Sequence, residues 1–271
     1  MSYLLRSAWG VPALSDVPPS HPRYASLVTR EKVVEGVARG ITGQNGLIAQ
    51  GRGEALDYLI GEVTTAPAME AERAAAAMLL LAEGPVLSVN GNAAALVPKE
   101  MVALANKIGA PLEVNIFYRT EERVKKIADL LRGLGAGTVY GDEPDAEIPG
   151  LDHARAKAAR GGIYDADVVF VPLEDGDRCE ALVKMGKRVI TVDLNPLSRT
   201  ARTSTVTIVD NVVRALPNLI SMVEEMACRD RTDLAGILEA YDNTAVLRRS
   251  VEEVITHLAR SFSPLDELSP P

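Results

Sequence analysis

From Val86 to Phe117 the chain reads VLSVNGNAAALVPKEMVALANKIGAPLEVNIF. Val86 to Val89 and Leu112 to Phe117 are apolar runs of strand length, and Lys99 to Ile108 between them has the periodicity of a helix. A helix that joins two buried strands is typical of parallel pairing. The segment therefore predicts the beginning of a parallel, doubly wound sheet.

The same alternation of strand and helix continues along the chain. Further strands are predicted over Thr138 to Tyr140, Val168 to Pro172, Arg188 to Val192 and Val206 to Val209, with helices over Glu121 to Leu134 and Asp177 to Met185. Aromatic residues are only 4% of a chain that is 47% apolar, so the core must consist of Ala, Val, Leu and Ile. The predicted fold class is α/β, a Rossmann-like doubly wound, mostly parallel sheet with additional N- and C-terminal helices.

Four segments are predicted. Residues 1–20 form an N-terminal extension, 21–84 a helical segment with a glycine-rich loop, 85–211 a Rossmann-like nucleotide-binding core, and 212–271 C-terminal helices; from residue 21 onward they form one integrated domain. Helices are expected from His21 or Pro22 to Gly40 or Gly43, and over Pro67 to Glu83, Val212 to Ala227, Thr232 to Tyr241 and Ala245 to Phe262. The glycine-rich loop spans Gly43 to Gly53 and leads into a short helix.

Composition argues against several classes of function. A net charge of -8 disfavours nucleic-acid binding, which needs a basic face. Apolar runs stay short of the roughly 20 residues of a membrane-spanning helix. Cys179 and Cys228 match no metal-ligand or disulfide spacing, which favours a reducing compartment. From the charge, the apolar runs and the cysteines together we expect a cytoplasmic protein that binds neither nucleic acid nor membrane.

Basic residues are concentrated near the N-terminus of this acidic chain. Between His21 and Gly53 there are five cations (Arg23, Arg30, Lys32, Arg39 and Arg52) and two acids (Glu31 and Glu35). This excess predicts a small anionic ligand. Arg52 stands between two glycines, which let the backbone approach a ligand, so we interpret it as an anion clamp.

Polar residues follow four of the predicted strands, where open α/β sheets bind ligands. These strand ends are Ser88 to Asn92, Pro172 to Arg178, Asp193 to Thr200 and Val209 to Asn211. In the first, Asn90 and Asn92 either bind phosphate at a helix N-terminus or form an ordinary turn that Asn92 caps.

The third and second strand ends each allow two interpretations. Asp193 suits the hydroxyls of a ribose, Asn195 an adenine edge, and Arg199 with Arg202 phosphates, or else the segment is a solvated turn. Glu174, Asp175 and Asp177 hold Mg²⁺ through water, or they are the acidic start of a helix. At the fourth strand end, Asp210 and Asn211 precede Val212, where a helix cap and a binding role are compatible.

Longer segments carry a resemblance to a known family. They are HPRYASLVTREKVVEG, GRGEALDYLIGE, SVNGNAAALVPKE, IPGLDHARAK, PLEDGDRCEALVKMGK and DLNPLSRTARTSTVTIVDNVVRALP. Together they resemble the archaeal phosphopantothenate synthetase family, also called 4-phosphopantoate–beta-alanine ligases, from about Ser20 to about Asn243. One departure is Gln50, where the family often has His.

The resemblance implies a Rossmann-like homodimer that uses ATP, with Mg²⁺, to join 4-phosphopantoate and beta-alanine in coenzyme A biosynthesis. It implies an acyl-adenylate and the release of AMP and diphosphate. The residues that it assigns to ATP are Arg30, Arg52, Asp193, Leu194, Asn195, Arg199, Thr200, Asn211 and Val212. It does not identify the catalytic residues, and the sequence offers no nucleophile with a recognisable base.

Two other functions remain open at this level. An NAD-dependent oxidoreductase would also use Asp193 on a ribose, although the G-x-G-x-x-G spacing is missing. A nucleotide sensor or scaffold would use the same ATP site without turnover. Release of AMP, a change in nicotinamide absorbance, or binding alone distinguishes the three.

Overall fold

A computed structural model describes residues 17–262 of the chain. Most of the predicted N-terminal extension, residues 1–16, therefore lies outside the described residues, as do residues 263–271. The division into four segments stays a prediction.

Helices and strands alternate through the middle of the chain. The helices are α1 (Tyr24–Ala38), α2 (Asn45–Ile60), α3 (Ala66–Leu81), α4 (Gly91–Leu96), α5 (Pro98–Ile108), α6 (Glu121–Gly133), α7 (Gly176–Lys184), α8 (Arg199–Thr203), α9 (Val212–Met226), α10 (Arg231–Glu239) and α11 (Asn243–Ser261). The strands are β1 (Pro85–Val89), β2 (Leu112–Val114), β3 (Val139–Tyr140), β4 (Ala146–Glu147), β5 (Lys157–Ala158), β6 (Val168–Phe170), β7 (Arg188–Asp193) and β8 (Val206–Val209).

Six of these strands form one sheet in the order β3-β2-β1-β6-β7-β8, and every neighbouring pair is parallel. β1 is central, with Leu87 opposite Leu112 of β2 and Phe170 of β6. Its residues from Val86 onward are buried because helices cover both faces of the sheet. The α/β, Rossmann-like prediction is confirmed, as are all six predicted strands.

The predicted glycine-rich loop is wrong, since Asn45–Ile60 is one continuous helix. Glycine lowers helix propensity, but tertiary contacts override that preference here. A Cβ on Gly46 would collide with Asn92, and a Cβ on Gly53 would lie 3.2 Å from Asn211 Nδ2. Both glycines thus let α2 pack closely against the ends of the sheet strands.

Smaller elements were also missed by the sequence patterns. Ala146–Glu147 and Lys157–Ala158 form a separate two-stranded antiparallel sheet, so the main sheet is wholly parallel. The short helix α4 follows β1 after one residue, and α8 follows β7 after five. Among residues 17–262, no helix has both the length and the apolar character required to cross a membrane.

A buried polar chain crosses the core behind β8. Glu72 of α3 is fully buried and accepts a hydrogen bond from Asn218 Nδ2 at 3.2 Å. The same amide donates to Thr64 Oγ1 at 3.1 Å, and Thr64 donates to Asp210 Oδ2 at 2.6 Å. Burial, opposed by the hydrogen bond from Asn218, raises the pKa of Glu72 to about 8.

This raised pKa predicts that Glu72 makes stability fall as pH rises. Between about pH 4.5 and 8 the folded protein holds a proton that the unfolded chain releases, so stability is lost across that range. The slope approaches about 1.4 kcal/mol per pH unit for one proton. Glu72→Gln stays neutral and keeps an acceptor for Asn218.

We expect Glu72→Gln to flatten the pH dependence of Tm between pH 5.5 and 8, and to raise Tm most at pH 8. Thermal unfolding followed by circular dichroism at several pH values measures this. Glu70→Gln, on the same helix but at its surface, is the control. Equal slopes for the wild type and Glu72→Gln would contradict the prediction.

Candidate active site

The strand order reverses beside β1, because β2 and β3 lie on one side of it and β6, β7 and β8 on the other. Such a switch point is where open α/β sheets bind ligands. A cleft of about 340 Å³ opens there, and its wall includes Asn90, Asn92, Arg123, Arg155 and Asp175. We call it the switch-point cleft.

Asn92 fastens the turn between α1 and α2 to one side of this cleft. Its Oδ1 accepts a hydrogen bond from Thr42 Oγ1 at 2.6 Å, and its Nδ2 donates to the Gly46 carbonyl at 3.0 Å. Both functional atoms of the amide are therefore engaged within the protein. Asn92 shapes the cleft rather than capping α4, which corrects the predicted cap.

Asn90 is the residue that caps α4, and it also holds the opposite wall. Its Oδ1 accepts from the Ala93 N–H at 2.9 Å. Its Nδ2 donates to the carbonyls of Pro172 and Leu173, at 2.8 and 3.2 Å. Leu173 has φ of 55°, a left-handed conformation that is strained for a branched residue, so this clamp stabilises an unfavourable turn.

Two buried arginines and one buried glutamate lie at the base of the cleft. The Glu174 carboxylate forms ion pairs with both Arg155 and Arg178. Arg155 also pairs with Asp175, and Arg178 Nη1 lies 3.3 Å from Ser88 Oγ. Burial lowers the pKa of Arg178 and raises that of Asp175. The cluster places the guanidinium of Arg155, paired with Glu174 and Asp175, at the wall of the cleft.

These contacts argue against the magnesium interpretation of the acidic helix start. Glu174 and Asp175 are bound to arginines, and Asp177 Oδ2 lies 2.9 Å from His153 Nε2. Within residues 17–262, no group of three or more His, Cys, Asp or Glu residues is arranged to hold a metal ion. The three carboxylates therefore do not fit a magnesium site formed by the protein.

A second polar site lies at the ends of β7 and β8, and we call it the nucleotide edge after the ligand that the sequence resemblance predicts for it. It contains Arg52 of α2, Asp193 and Leu194 after β7, and Asn211 after β8. Gly53 brings them together, since a Cβ there would lie 3.2 Å from Asn211 Nδ2 and 3.7 Å from Leu194 Cδ1.

Arg52 is the exposed cation of this edge. It makes no hydrogen bond or ion pair with the part of the chain that the structure describes. Burial raises the pKa of Asp193, and the charge of Arg52 opposes that rise. A guanidinium beside a polar site, with no hydrogen bond or ion pair to the described residues, is suited to bind an anionic ligand.

The Asp193 carboxylate holds the loop that follows β7. Oδ1 accepts from the Asn195 N–H at 2.9 Å, and Oδ2 accepts from the Ser198 hydroxyl. Burial raises the pKa of Asp193, against hydrogen bonds from Ser198 and from backbone N–H groups of the loop. Asn195 in turn accepts from the Leu197 N–H at 2.9 Å. The loop is thus ordered by its own side chains and presents Asp193 at its base.

Asn211 caps α9, as the sequence predicted, and its side chain also hydrogen-bonds to Asp57 of α2. Its Oδ1 accepts from the Val213 N–H at 3.4 Å, and its Nδ2 donates to Asp57 Oδ2 at 3.1 Å. Arg214 bridges Asp57 and the buried Asp210. This network fixes the N-terminus of α9 against α2.

The remaining predicted residues of the nucleotide edge differ in their surroundings. Arg199 is exposed and lies 3.3 Å from Glu180, while Thr200 is buried and donates to the Glu174 carbonyl at 2.9 Å. Val212 is buried at the first position of α9, so its side chain belongs to the core.

Arg30 pairs with an acid on the next helix, which reduces the predicted excess of cations by one charge. Arg30 forms a bidentate pair with Glu54, at 2.8 and 2.7 Å, and Arg23 lies 3.6 Å from the same carboxylate. Arg39 lies 4.0 Å from Glu35. Glu54 stands one position beyond the stretch over which the cations were counted.

Residues that the sequence patterns missed complete the site. Arg123, Arg155 and Arg178 are distant from each other in sequence; Arg155 and Arg178 lie in segments that carry the family resemblance, but no role was assigned to them. One local signal existed for Arg178, which occupies the first turn of a helix beside the buried Cys179. An arginine on the buried face of a helix indicates an internal partner.

The fold and these two neighbouring sites define a doubly wound α/β protein with anion-binding features at the carboxyl edge of its sheet, a class that commonly binds nucleotides. A family model described as phosphopantothenate/pantothenate synthetase matches residues 67–257. The chain belongs to this family.

Relatives from archaea agree along almost the whole chain. One from Thermococcus onnurineus is 55% identical over 252 residues, 93% of this chain and 95% of the relative. One from Methanosarcina mazei is 55% identical and covers 90% and 96%, and one from Thermococcus kodakarensis is 54% identical and covers 93% and 95%. Each of the three is named 4-phosphopantoate–beta-alanine ligase.

Proposed function

We propose that the chain is an AMP-forming ligase that uses ATP to join 4-phosphopantoate to beta-alanine, a step of coenzyme A biosynthesis. The observation that carries the proposal is its 55% identity, over 93% of its length, with a relative named for this reaction. Two adjacent polar sites support it, because an acyl substrate and ATP must be held side by side.

The reaction has two steps. A carboxylate oxygen of 4-phosphopantoate attacks the α-phosphorus of ATP, the bond to the β-phosphate oxygen breaks, and diphosphate leaves with the acyl-adenylate retained. The amine of beta-alanine then attacks the acyl carbon, AMP leaves, and the amine nitrogen loses a proton. Both steps bring anions together, so positioning and charge neutralisation supply most of the catalysis.

In this proposal ATP lies along the nucleotide edge. Arg52 neutralises phosphate charge, Asp193 accepts hydrogen bonds from the ribose hydroxyls, and Asn211 with the Val212 N–H faces the nucleotide from the N-terminus of α9. The other assigned contacts are Arg30, Leu194, Asn195, Arg199 and Thr200. For Arg30 such a contact requires release from Glu54 or sharing with it.

Magnesium accompanies ATP in the family that the sequence resembles, but the side chains do not supply a carboxylate cage for it. Mg²⁺ commonly keeps several waters and binds substrate phosphates rather than an all-protein cage. The ion therefore stays a prediction as a companion of the polyphosphate, and the roles given to the residues do not depend on it.

The acyl substrate occupies the switch-point cleft in this proposal. Arg123 and Arg155 both line it and offer guanidinium groups for a phosphate. Arg123 is held at the cleft by the Tyr118 carbonyl at 2.8 Å, while its Nε has no partner among the described residues.

The ligase proposal is tested with purified full-length chain, ATP, beta-alanine and 4-phosphopantoate labelled with ¹⁸O in its carboxylate. We expect AMP and diphosphate in equal amounts with the amide, and one ¹⁸O atom in AMP, because the attacking oxygen stays with AMP when the acyl bond breaks. ADP with labelled phosphate would mean an acyl phosphate intermediate. Nucleotide binding without turnover would favour a sensor.

A second expectation concerns the phosphate of the acyl substrate. Loss of Arg123 removes a charge-assisted interaction of about 1.5–3 kcal/mol, which corresponds to roughly tenfold to a hundredfold. Arg123→Met should therefore reduce the preference for 4-phosphopantoate over pantoate by that factor, measured as a ratio of kcat/KM values. Lys125→Met, an exposed position on the same helix outside the cleft, should keep the preference. An unchanged ratio in Arg123→Met would exclude Arg123 from phosphate recognition.

A homodimer is part of the same proposal. Large apolar side chains are exposed on α2 and α11, with Ile48, Tyr58 and Ile255 each more than half accessible. Exposed apolar surface of this kind marks protein interfaces. Light scattering coupled to size-exclusion chromatography of the full chain measures the assembly directly.

A further inference from the structure

Arg178 is an unusual residue for its position. Its side chain is fully buried and is the largest such side chain among the described residues. Nη1 contacts Glu174 and Ser88, whereas Nε and Nη2 have no hydrogen-bond partner among residues 17–262. Burying a cation is costly, and an apolar side chain of similar volume often fills such a place at no loss of stability. Packing alone therefore gives no reason for an arginine here.

Arg178 forms an ion pair with Glu174 Oε2, and Glu174 Oε1 forms an ion pair with Arg155. Glu174 is almost completely buried, and its Oε1 accepts the Asp175 N–H at 2.7 Å and pairs with Arg155. Arg155 Nε donates to Asn115 Oδ1 at 3.2 Å, and Nη1 donates to Asp175. The planar guanidinium of Arg155 is thus fixed from several directions at the wall of the switch-point cleft.

The same short segment also touches the nucleotide edge. The Glu174 carbonyl accepts a hydrogen bond from Thr200 Oγ1 at 2.9 Å. Gly176 packs against Arg199 so closely that an added Cβ would lie 2.5 Å from its Nε. Residues 173–176 are therefore a wall shared by both sites, with Glu174 in contact with each.

We propose that Glu174 and Arg178 are positioning residues that make binding at the two sites cooperative. Arg178 fixes Glu174, whose carboxylate places Arg155 for the acyl substrate and whose carbonyl places Thr200 for the nucleotide. A ligand that orders the shared wall at one site therefore also places the residues of the other site in their binding geometry. The proposal rests on the assignment of ATP and 4-phosphopantoate to the two sites.

The test is the affinity for α,β-methylene-ATP, which does not react, with and without saturating 4-phosphopantoate. In the wild type we expect roughly fivefold or tighter binding with 4-phosphopantoate present, within the usual range of coupling between sites. In Arg178→Met and in Glu174→Gln that ratio should fall towards one. Arg178→Lys keeps a cation beside Glu174 and should restore part of it.

Lys187→Met provides a matched control. Lys187 is also a buried cation, but it donates to the Tyr164 and Ala166 carbonyls, at 2.6 and 2.8 Å, just before β7 begins, at the opposite edge of the sheet. It should lower Tm without changing the affinity ratio. If Arg178→Met does not fold, Glu174→Gln and Arg178→Lys carry the test.

The outcomes separate the two proposals. If the wild type binds neither ligand, the ligase assignment fails. If both ligands bind independently in the wild type, or if the folded variants keep the wild-type ratio, the positioning role is overturned while the ligase assignment stands. If Lys187→Met also abolished the affinity ratio, then loss of any buried charge would be enough to uncouple the sites. That result would also overturn the positioning role of Glu174 and Arg178.

Discussion

Arg52→Met is expected to lower kcat/KM for ATP roughly tenfold to a hundredfold, because a charge-assisted hydrogen bond is worth about 1.5–3 kcal/mol and about 1.4 kcal/mol is a factor of ten. Arg52 makes no hydrogen bond or ion pair with residues 17–262, so its loss should leave the folding of this part of the chain unchanged. Steady-state kinetics with ATP varied at saturating 4-phosphopantoate and beta-alanine measure the effect, and Tm checks the fold.

Two further variants make this expectation specific. Arg52→Lys keeps the charge but loses the planar fork of donors, so it should recover part of the activity. Arg73→Met removes an exposed cation from α3, away from both sites, and should behave as the wild type. If Arg52→Met retained normal kinetics, the anion clamp would have to be sought elsewhere, first at Arg199.

Asp193→Asn is expected to weaken ATP binding roughly tenfold or more. In the proposed complex the carboxylate accepts hydrogen bonds from the 2' and 3' hydroxyls of the ribose, and a charge-assisted bond is worth about 1.5–3 kcal/mol. About 1.4 kcal/mol is a factor of ten. Calorimetric titration with α,β-methylene-ATP measures the change, while binding of 4-phosphopantoate alone should alter little.

Asp193 also holds its own loop, so the ribose role needs a separate control. Ser198→Ala removes the hydroxyl that donates to Asp193 and leaves the carboxylate in place. The wild type and Ser198→Ala should bind a 2',3'-dideoxy analogue of the nucleotide more weakly than its ribose form, and Asp193→Asn should not discriminate. If Ser198→Ala loses as much affinity as Asp193→Asn, then Asp193 serves to order the loop.

The pattern of strands and helices was predictable because buried elements have local patterns of apolar residues in the sequence. Continuous apolar runs such as Val86 to Val89 and Val206 to Val209 are buried strands in the structure, and Asn211 caps the helix that follows. Polar residues after each strand pointed to the carboxyl edge of the sheet. Family membership was likewise visible in long, ordered segments of sequence.

The errors arose where the outcome depended on distant parts of the chain. The stretch from Gly43 to Gly53 was predicted as a loop from its composition, but its glycines are the places where a helix packs on Asn92 and Asn211. The predicted excess of cations included Arg30, which pairs with Glu54 on the next helix. The composition of a segment gives no information about the residues of other segments that contact it.

By itself, the sequence determined the α/β class, the six strands and the family, because periodicity, apolar runs and motifs are properties of contiguous residues. The residues that the resemblance assigns to ATP stay a prediction. The tertiary structure added the switch-point cleft, the cluster of Arg155, Glu174 and Arg178, and the raised pKa of Glu72. These depend on which charges meet and how completely water is excluded from them. Both follow from the order β3-β2-β1-β6-β7-β8, which brings together side chains that are far apart along the chain.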